Sequence, residues 1–223
     1  MTRRVGVLIS GRGSNLAALL AAAKAPDYPA RIALVLSNRP DAGGLGIAAE
    51  AGIPAETVDH RRFGPDRAAH EVALDAKLRA AGIELVCLAG YMRRLTPFLV
   101  RAWAGRMLNI HPSLLPAFPG LDTHARALQA GVCLHGCTVH LVSEAVDEGA
   151  ILGQAAVPVL PGDTEASLAK RVLAQEHLLY PAVLRVVASG AAGQAAAGDA
   201  SLLNVLAAET LPRQVLRERP ALQ

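Results

Sequence analysis

Residues 5–9 read VGVLI, residues 10–14 SGRGS and residues 15–25 NLAALLAAAKA. A short apolar run without polar alternation is the pattern of a strand covered on both faces, because a strand with one wet face alternates. The Ala- and Leu-rich segment behind it is a strong helix former, and two glycines punctuate the junction. Strand, glycine loop and helix together form the opening half of a βαβ unit.

The same rhythm continues outward from this stretch. Residues 31–38 (RIALVLSN) repeat the strand pattern, 39–44 read as loop, and 45–51 read as a helix ending at Gly52. A short strand over 56–59, a basic loop, a long helix over 66–81 and an apolar strand over 85–90 follow, with Gly82 where a helix C-terminus favours glycine. Thr96 and Pro97 supply a cap and a first-turn proline for a helix reaching about residue 103, and 106–111 form the next strand.

Beyond residue 111 the pattern changes. Residues 124–130 read as helix, while 137–142 and 151–160 alternate as two strands that pair antiparallel across 143–149. Pro158 restricts the second to an edge or a strand end. A capped helix starts near Asp163 and Thr164 and is expected to stop at about Tyr180; the Ala- and Gly-rich residues 189–198 read as loop.

The expected architecture is α/β: a doubly wound, mostly parallel sheet with antiparallel C-terminal strands. Its organisation is one domain over 1–188, with an N-terminal half to about 105 and a C-terminal half from about 106, followed by an appendage over 189–223. In such sheets a ligand binds outside the carboxyl ends of the strands, where strand order reverses.

Composition narrows the ligand. The chain is 52% hydrophobic but only 3% aromatic, so its core is aliphatic. A formal charge of +3, from 22 basic and 19 acidic residues, falls short of the concentrated basic surface a nucleic-acid binder needs and suits a small anionic metabolite. Three cysteines, Cys87, Cys133 and Cys137, form no disulfide framework, and the N-terminal apolar run is too short for a signal peptide; both features fit a reducing cytoplasm. No apolar run approaches a membrane span.

Ser10 to Asn15 lie between a strand and a helix N-terminus, where glycine-flanked N–H groups and the helix dipole favour an anion. The loop fails the dinucleotide fingerprint, since Leu16 stands where a further glycine is required and residues 37–39 (SNR) lack the closing acid. A single phosphate fits better, against the alternative of a purely structural tight turn. Cys133, His135, Cys137 and His140 miss zinc spacing, because same-face neighbours on a strand lie about 7 Å apart. No metal is expected.

Residues 109–124 read NIHPSLLPAFPGLDTH. Asn109 and His111 are two apart at the end of a strand, so they share a face, and Pro112 ends the ladder beside a cleft. An amide donor, an imidazole and an acidic partner suit acyl or formyl transfer to an amine, in which an oxyanion needs donors and the amine must lose a proton. A buried structural histidine is the competing reading of the same residues.

Taken together, ISGRGSNL, LAGYMRRL, NIHPSLLPAFPGLDTH, HGCTVHLV and VDEGAIL resemble the folate-dependent phosphoribosylglycinamide formyltransferases of purine biosynthesis, through about Pro181. The resemblance implies a Rossmann-like formyltransferase fold and transfer of formyl from 10-formyltetrahydrofolate, as co-substrate, to the amine of N1-(5-phospho-D-ribosyl)glycinamide. It assigns catalysis to Asn109, His111 and Asp147, with His140 in support. It assigns the ribonucleotide to Gly13, Ser14, Asn15 and Glu176. The folate is assigned to Arg67, Met92, Arg93, Arg94, Leu95, Asn109, Ser143, Glu144, Ala145, Val146 and Asp147, largely through backbone groups.

Arg94 and Leu173 depart from the family pattern, which places an aliphatic and a polar residue there. Small-molecule substrates are the implied partners, without nucleic acid or membrane, and a homodimer is compatible. The alternatives are a folate deformylase, a methionyl-tRNA formyltransferase-like enzyme, and a non-catalytic nucleotide- or folate-binding module.

Overall fold

The computed structural model describes residues 2–190 together with the backbone of 203–204. Most of the 189–198 segment read as loop, and most of the expected appendage, lie outside the described residues. Five parallel strands come first: β1 (Arg3–Ile9), β2 (Ala30–Ser37), β3 (Ala55–Thr57), β4 (Leu85–Leu88) and β5 (Met107–His111). They are followed by β6 (Leu134–Leu141), β7 (Ile151–Pro158) and a two-residue β8 (Leu203–Asn204).

The sheet order is β3-β2-β1-β4-β5-β6-β7-β8, with β6 antiparallel to both β5 and β7. Order reverses between β1 and β4, so the crevice outside their carboxyl ends is the place this topology offers a ligand.

The sequence pattern of β1 explains its central position. Val5, Val7 and Ile9 enter one core together with Leu16, Leu19 and Leu20 of α1 (Ser14–Ala22) and Leu168, Val172 and Leu179 of α6 (Glu165–Ala188). Leu8 enters the opposite core, with Leu74 and Leu78 of α3 (Arg67–Ala80) and Leu99 of α4 (Pro97–Ala102). Helices therefore cover both faces, which is why the strand has no polar alternation. Short helices α2 (Gly44–Glu50) and α5 (Thr123–Gln129) and a 3-10 turn over His60–Phe63 complete the described structure. No described helix is long and apolar enough to cross a membrane.

Three local expectations are corrected. Strand β6 begins at Leu134 rather than residue 137, because Leu134, His135 and Gly136 pair with Pro158, Val157 and Ala156. Helix α6 does not stop at Tyr180 but runs through Pro181 to Ala188. An interior proline costs about 3 kcal/mol. Burying Val183 and Leu184 beyond it returns about 1.5–3 kcal/mol each, and the Tyr28 hydroxyl donates to Pro181 O at 2.7 Å.

The third correction concerns Thr96, which stands at the N-cap of α4 but makes no side-chain cap bond. Its hydroxyl donates instead to Glu71.

Candidate active site

The site is built on the carboxyl ends of β1, β4 and β5. Gly13 caps α1 in a left-handed conformation (φ 82°), and a Cβ there would lie 2.6 Å from Gly44 Cα. Only glycine lets this loop turn and abut α2. Ser14 and Asn15 consequently form the first turn of α1, whose backbone N–H groups have no intrahelical acceptor; this is the expected anion position.

Asn15 Nδ2 donates to Glu176 Oε2 at 2.7 Å across 161 residues, while the buried Asn15 Oδ1 has no partner among the described residues. Burial raises the Glu176 carboxyl above its ordinary value, and the Asn15 bond opposes that. Glu176 is fixed in register by Tyr180 one turn later, whose hydroxyl lies 3.2 and 3.1 Å from Leu88 O and Leu108 O. Helix α6 is thereby pinned over β4 and β5, beside Asn109.

Asn109, His111, His140 and Asp147 come together on the opposite side of β5. Asp147 occupies a left-handed position (φ 59°), and its Oδ2 accepts from Gly120 N–H at 2.8 Å. The same oxygen lies 3.4 Å from His111 Nδ1, and Oδ1 lies 3.7 Å from His140 Nε2. His111 Nε2 donates to Phe118 O at 3.1 Å, so both ring nitrogens of this buried side chain face acceptors.

His140 has the reverse arrangement. Its Nδ1–H donates to Leu141 O at 2.9 Å, leaving Nε2 to accept from Asn109 Nδ2 at 3.2 Å. Burial lowers its pKa, which favours this neutral tautomer. One Asn109 N–H is thus used for orientation, and the second has no acceptor among the described residues.

The expected folate residues are more dispersed. Met92 N–H donates to Ser10 Oγ at 2.8 Å, and Ser143 Oγ donates to Ala145 O within its own loop. Arg101 pairs with the Glu144 carboxylate at 2.7 Å. Arg67 opens α3 on the surface, Arg94 is exposed, and Arg93 and Leu95 are half-buried; among the described residues no hydrogen bond or ion pair joins them to the catalytic cluster. Ala145 and Val146 are exposed beside Asp147, and Leu173 is half-buried on α6. Among the described residues, no three His, Cys, Asp or Glu side chains gather as metal ligands.

Sequence reasoning missed the residues that hold this arrangement. Gly120 N–H and Phe118 O carry no side-chain signal. The pair of buried His135 and half-buried His124, 3.2 Å apart, enters the sequence reading only as a zinc candidate and a helix start.

Burial lowers the His135 pKa to about 4, with His124 and His111 adding repulsion and Pro112 O opposing them. The fold therefore favours neutral His135. Its stabilising contribution is full above the ordinary histidine value of about 6.5 and is lost as pH falls through about 4. Urea unfolding between pH 7 and 4.5 should show a slope shallower in His135→Gln than in the unsubstituted chain by up to about 1.4 kcal/mol per pH unit. Equal slopes would refute this assignment.

A family model described as formyl transferase matches residues 3–184. A trifunctional purine biosynthetic protein adenosine-3 from Drosophila pseudoobscura pseudoobscura is 51% identical over 191 residues; the match covers 85% of this chain and 14% of that relative's length. The phosphoribosylglycinamide formyltransferase of Escherichia coli (strain K12) is 45% identical, with 82% of this chain and 86% of the relative covered. The crystal structure of the phosphoribosylglycinamide formyltransferase from Brucella melitensis superposes with a TM-score of 0.81 at 53% identity, covering 85% of this chain and 97% of that one. The strand order, the glycine loop and these matches lead to one assignment: the chain belongs to the formyl transferase family.

Proposed function

We infer that this chain transfers the formyl group of 10-formyltetrahydrofolate to the amine of phosphoribosylglycinamide, in purine biosynthesis in the cytoplasm. The observation that carries this reading is the meeting of Asn109, His111 and Asp147 at the carboxyl end of β5, on the sheet end that also bears the Gly13–Asn15 loop. Phosphate at that helix N-terminus and ribose hydroxyls at Asn15 and Glu176 would hold the ribonucleotide with its amine toward β5. The unpartnered Asn15 Oδ1 and the carboxylate of Glu176 supply acceptors suited to hydroxyl groups.

Asn109 donates its free N–H to the formyl oxygen as the amine adds to the formyl carbon. His111 exchanges Phe118 O for the developing oxyanion and donates through Nε2. Such donors stabilise charge where it forms, each worth about 10²–10³ in rate. Asp147 faces the imidazole and orients a water that carries the proton from the attacking amine to the departing folate nitrogen. Collapse of the adduct breaks the bond to that nitrogen and yields N-formyl ribonucleotide and tetrahydrofolate.

The test is a steady-state assay with glycinamide ribonucleotide and 10-formyltetrahydrofolate, following folate release. Release that depends on the amine is the expected result. Release at the same rate without the amine would replace this reading with deformylation, and no release would leave only a binding module.

A further inference from the structure

We propose that two buried polar latches, Ser10–Asn38 at one end and Glu71 at the other, hold the 90–96 loop in the shape that receives the formyl donor; Ser10 and Glu71 are positioning residues. The proposal rests on the donor reading above, which places Met92, Arg93, Arg94 and Leu95 along the folate.

This loop connects β4 to α4 without regular structure, so no ladder fixes it. At its start, Ser10 N–H donates to Gly90 O at 3.2 Å, and Met92 N–H donates to Ser10 Oγ at 2.8 Å. Ser10 Oγ–H in turn donates to Asn38 Oδ1 at 2.6 Å. Ser10 and Asn38 are both almost fully buried, and His60 Nδ1 lies 2.8 Å from Asn38 O, bracing the pair from the next loop.

At the loop's end, Glu71 Oε1 accepts from Thr96 N–H at 2.7 Å, and Oε2 accepts from the Thr96 hydroxyl. Between the latches, the backbone N–H and C=O groups of Arg93, Arg94 and Leu95 bond to no described residue. They form a free polar edge, clamped on both sides.

Two features separate this arrangement from ordinary loop packing. Glu71 is only 2% exposed, and no cation pairs with it among the described residues, so its carboxylate is buried against neutral partners. Taking a carboxyl group out of water with only neutral partners is costly. In addition, the Thr96 hydroxyl is diverted from capping α4, forgoing a contact worth about 0.5–2 kcal/mol elsewhere. Both costs serve the position of one loop, and its free edge can recognise a ligand only if its spacing is fixed in advance.

The experiment compares the unsubstituted chain with Glu71→Leu, Glu71→Gln, Thr96→Val and Ser10→Ala. Steady-state kinetics would be measured for both substrates, with tetrahydrofolate binding by calorimetry and amide exchange at Met92 and Thr96. Glu71→Leu should raise the KM for the formyl donor about tenfold or more, a loss expected when recognition groups shift. The turnover number should stay within about threefold and the ribonucleotide KM within about twofold.

Glu71→Gln should recover most of the lost donor affinity, because its carbonyl can accept from Thr96 N–H while its amide donates to the Thr96 hydroxyl. Faster exchange of the Met92 amide in Ser10→Ala, with weaker tetrahydrofolate binding, is expected from the other latch. If Glu71→Leu fails to fold, Thr96→Val and Ser10→Ala carry the comparison.

Donor KM and tetrahydrofolate affinity unchanged in these variants would overturn the latches while leaving the donor reading intact. An equal loss for both substrates would mark a general structural role and also overturn them. An unsubstituted chain that binds no tetrahydrofolate would remove the donor reading, and the latches with it.

Discussion

An Asp147→Asn variant is expected to lose about 10²- to 10⁴-fold in kcat, the range a positioned proton-transfer group contributes, with KM for either substrate changed by no more than a few fold. The substitution is nearly isosteric. Asparagine tolerates the left-handed backbone that Asp147 occupies better than most residues do, so the turn should persist. Its side-chain oxygen can still accept from Gly120 N–H.

What disappears is the negative charge 3.4 Å from His111 Nδ1, together with the acceptor that would hold a proton-relaying water. Ground-state contacts remain, so the loss should fall on kcat and on kcat/KM equally, as when an interaction exists only in the transition state. Thermal unfolding run in parallel should show a midpoint within a few degrees of the unsubstituted chain, in keeping with a small stability change. Turnover within threefold at matched stability would dismiss the relay and leave Asp147 as a turn residue.

The fold was legible because its strands violate polar alternation. β1, β2 and β4 bury nearly every side chain between two helical layers, so short apolar runs bounded by Gly11, Gly52 and Gly82 could be placed without knowing their neighbours. The errors arose where tertiary contacts override local chemistry. Pro181 should stop a helix, yet the burial of Val183, Leu184 and Ala188 carries α6 onward. His135 and Gly136 do not read as strand, yet β7 provides them with partners.

The site divides along the same line. Asn109 and His111 could be read directly, since a strand end followed by Pro112 implies two side chains on one face at a cleft. Asp147 and Glu176 could not, because one lies in a loop 36 residues from His111 and the other joins Asn15 across 161 residues. Only resemblance brought them forward. Glu71 was invisible to both approaches: within RAAHEVALDAKLRA it looks like one more solvated helix acid, and only packing against the 90–96 loop buries it.

A Gly149→Ala variant should lose both stability and turnover, although it adds a single methyl group in a half-exposed loop. That methyl would sit 1.7 Å from Leu141 O and 2.8 Å from Leu141 C, and both obstacles are backbone. A flexible side chain could move aside; the end of β6 cannot, because Leu141 N–H donates to Ala150 O at 2.9 Å in the same bridge. The loop must therefore separate from β6.

Overpacking of this kind costs about 1–3 kcal/mol, occasionally more. The chemical consequence should be larger than the stability loss suggests. Leu141 O is the acceptor that fixes the His140 tautomer, and Asp147 lies only two residues before Gly149. A displacement of about 1 Å in a catalytic group can cost about 10²-fold in rate. Glu148→Ala, an exposed neighbour, is the control and should stay within about 0.5 kcal/mol of the unsubstituted stability. If Gly149→Ala matches that control in both kcat and unfolding midpoint, the close packing of the loop on β6 does not set the geometry of Asp147.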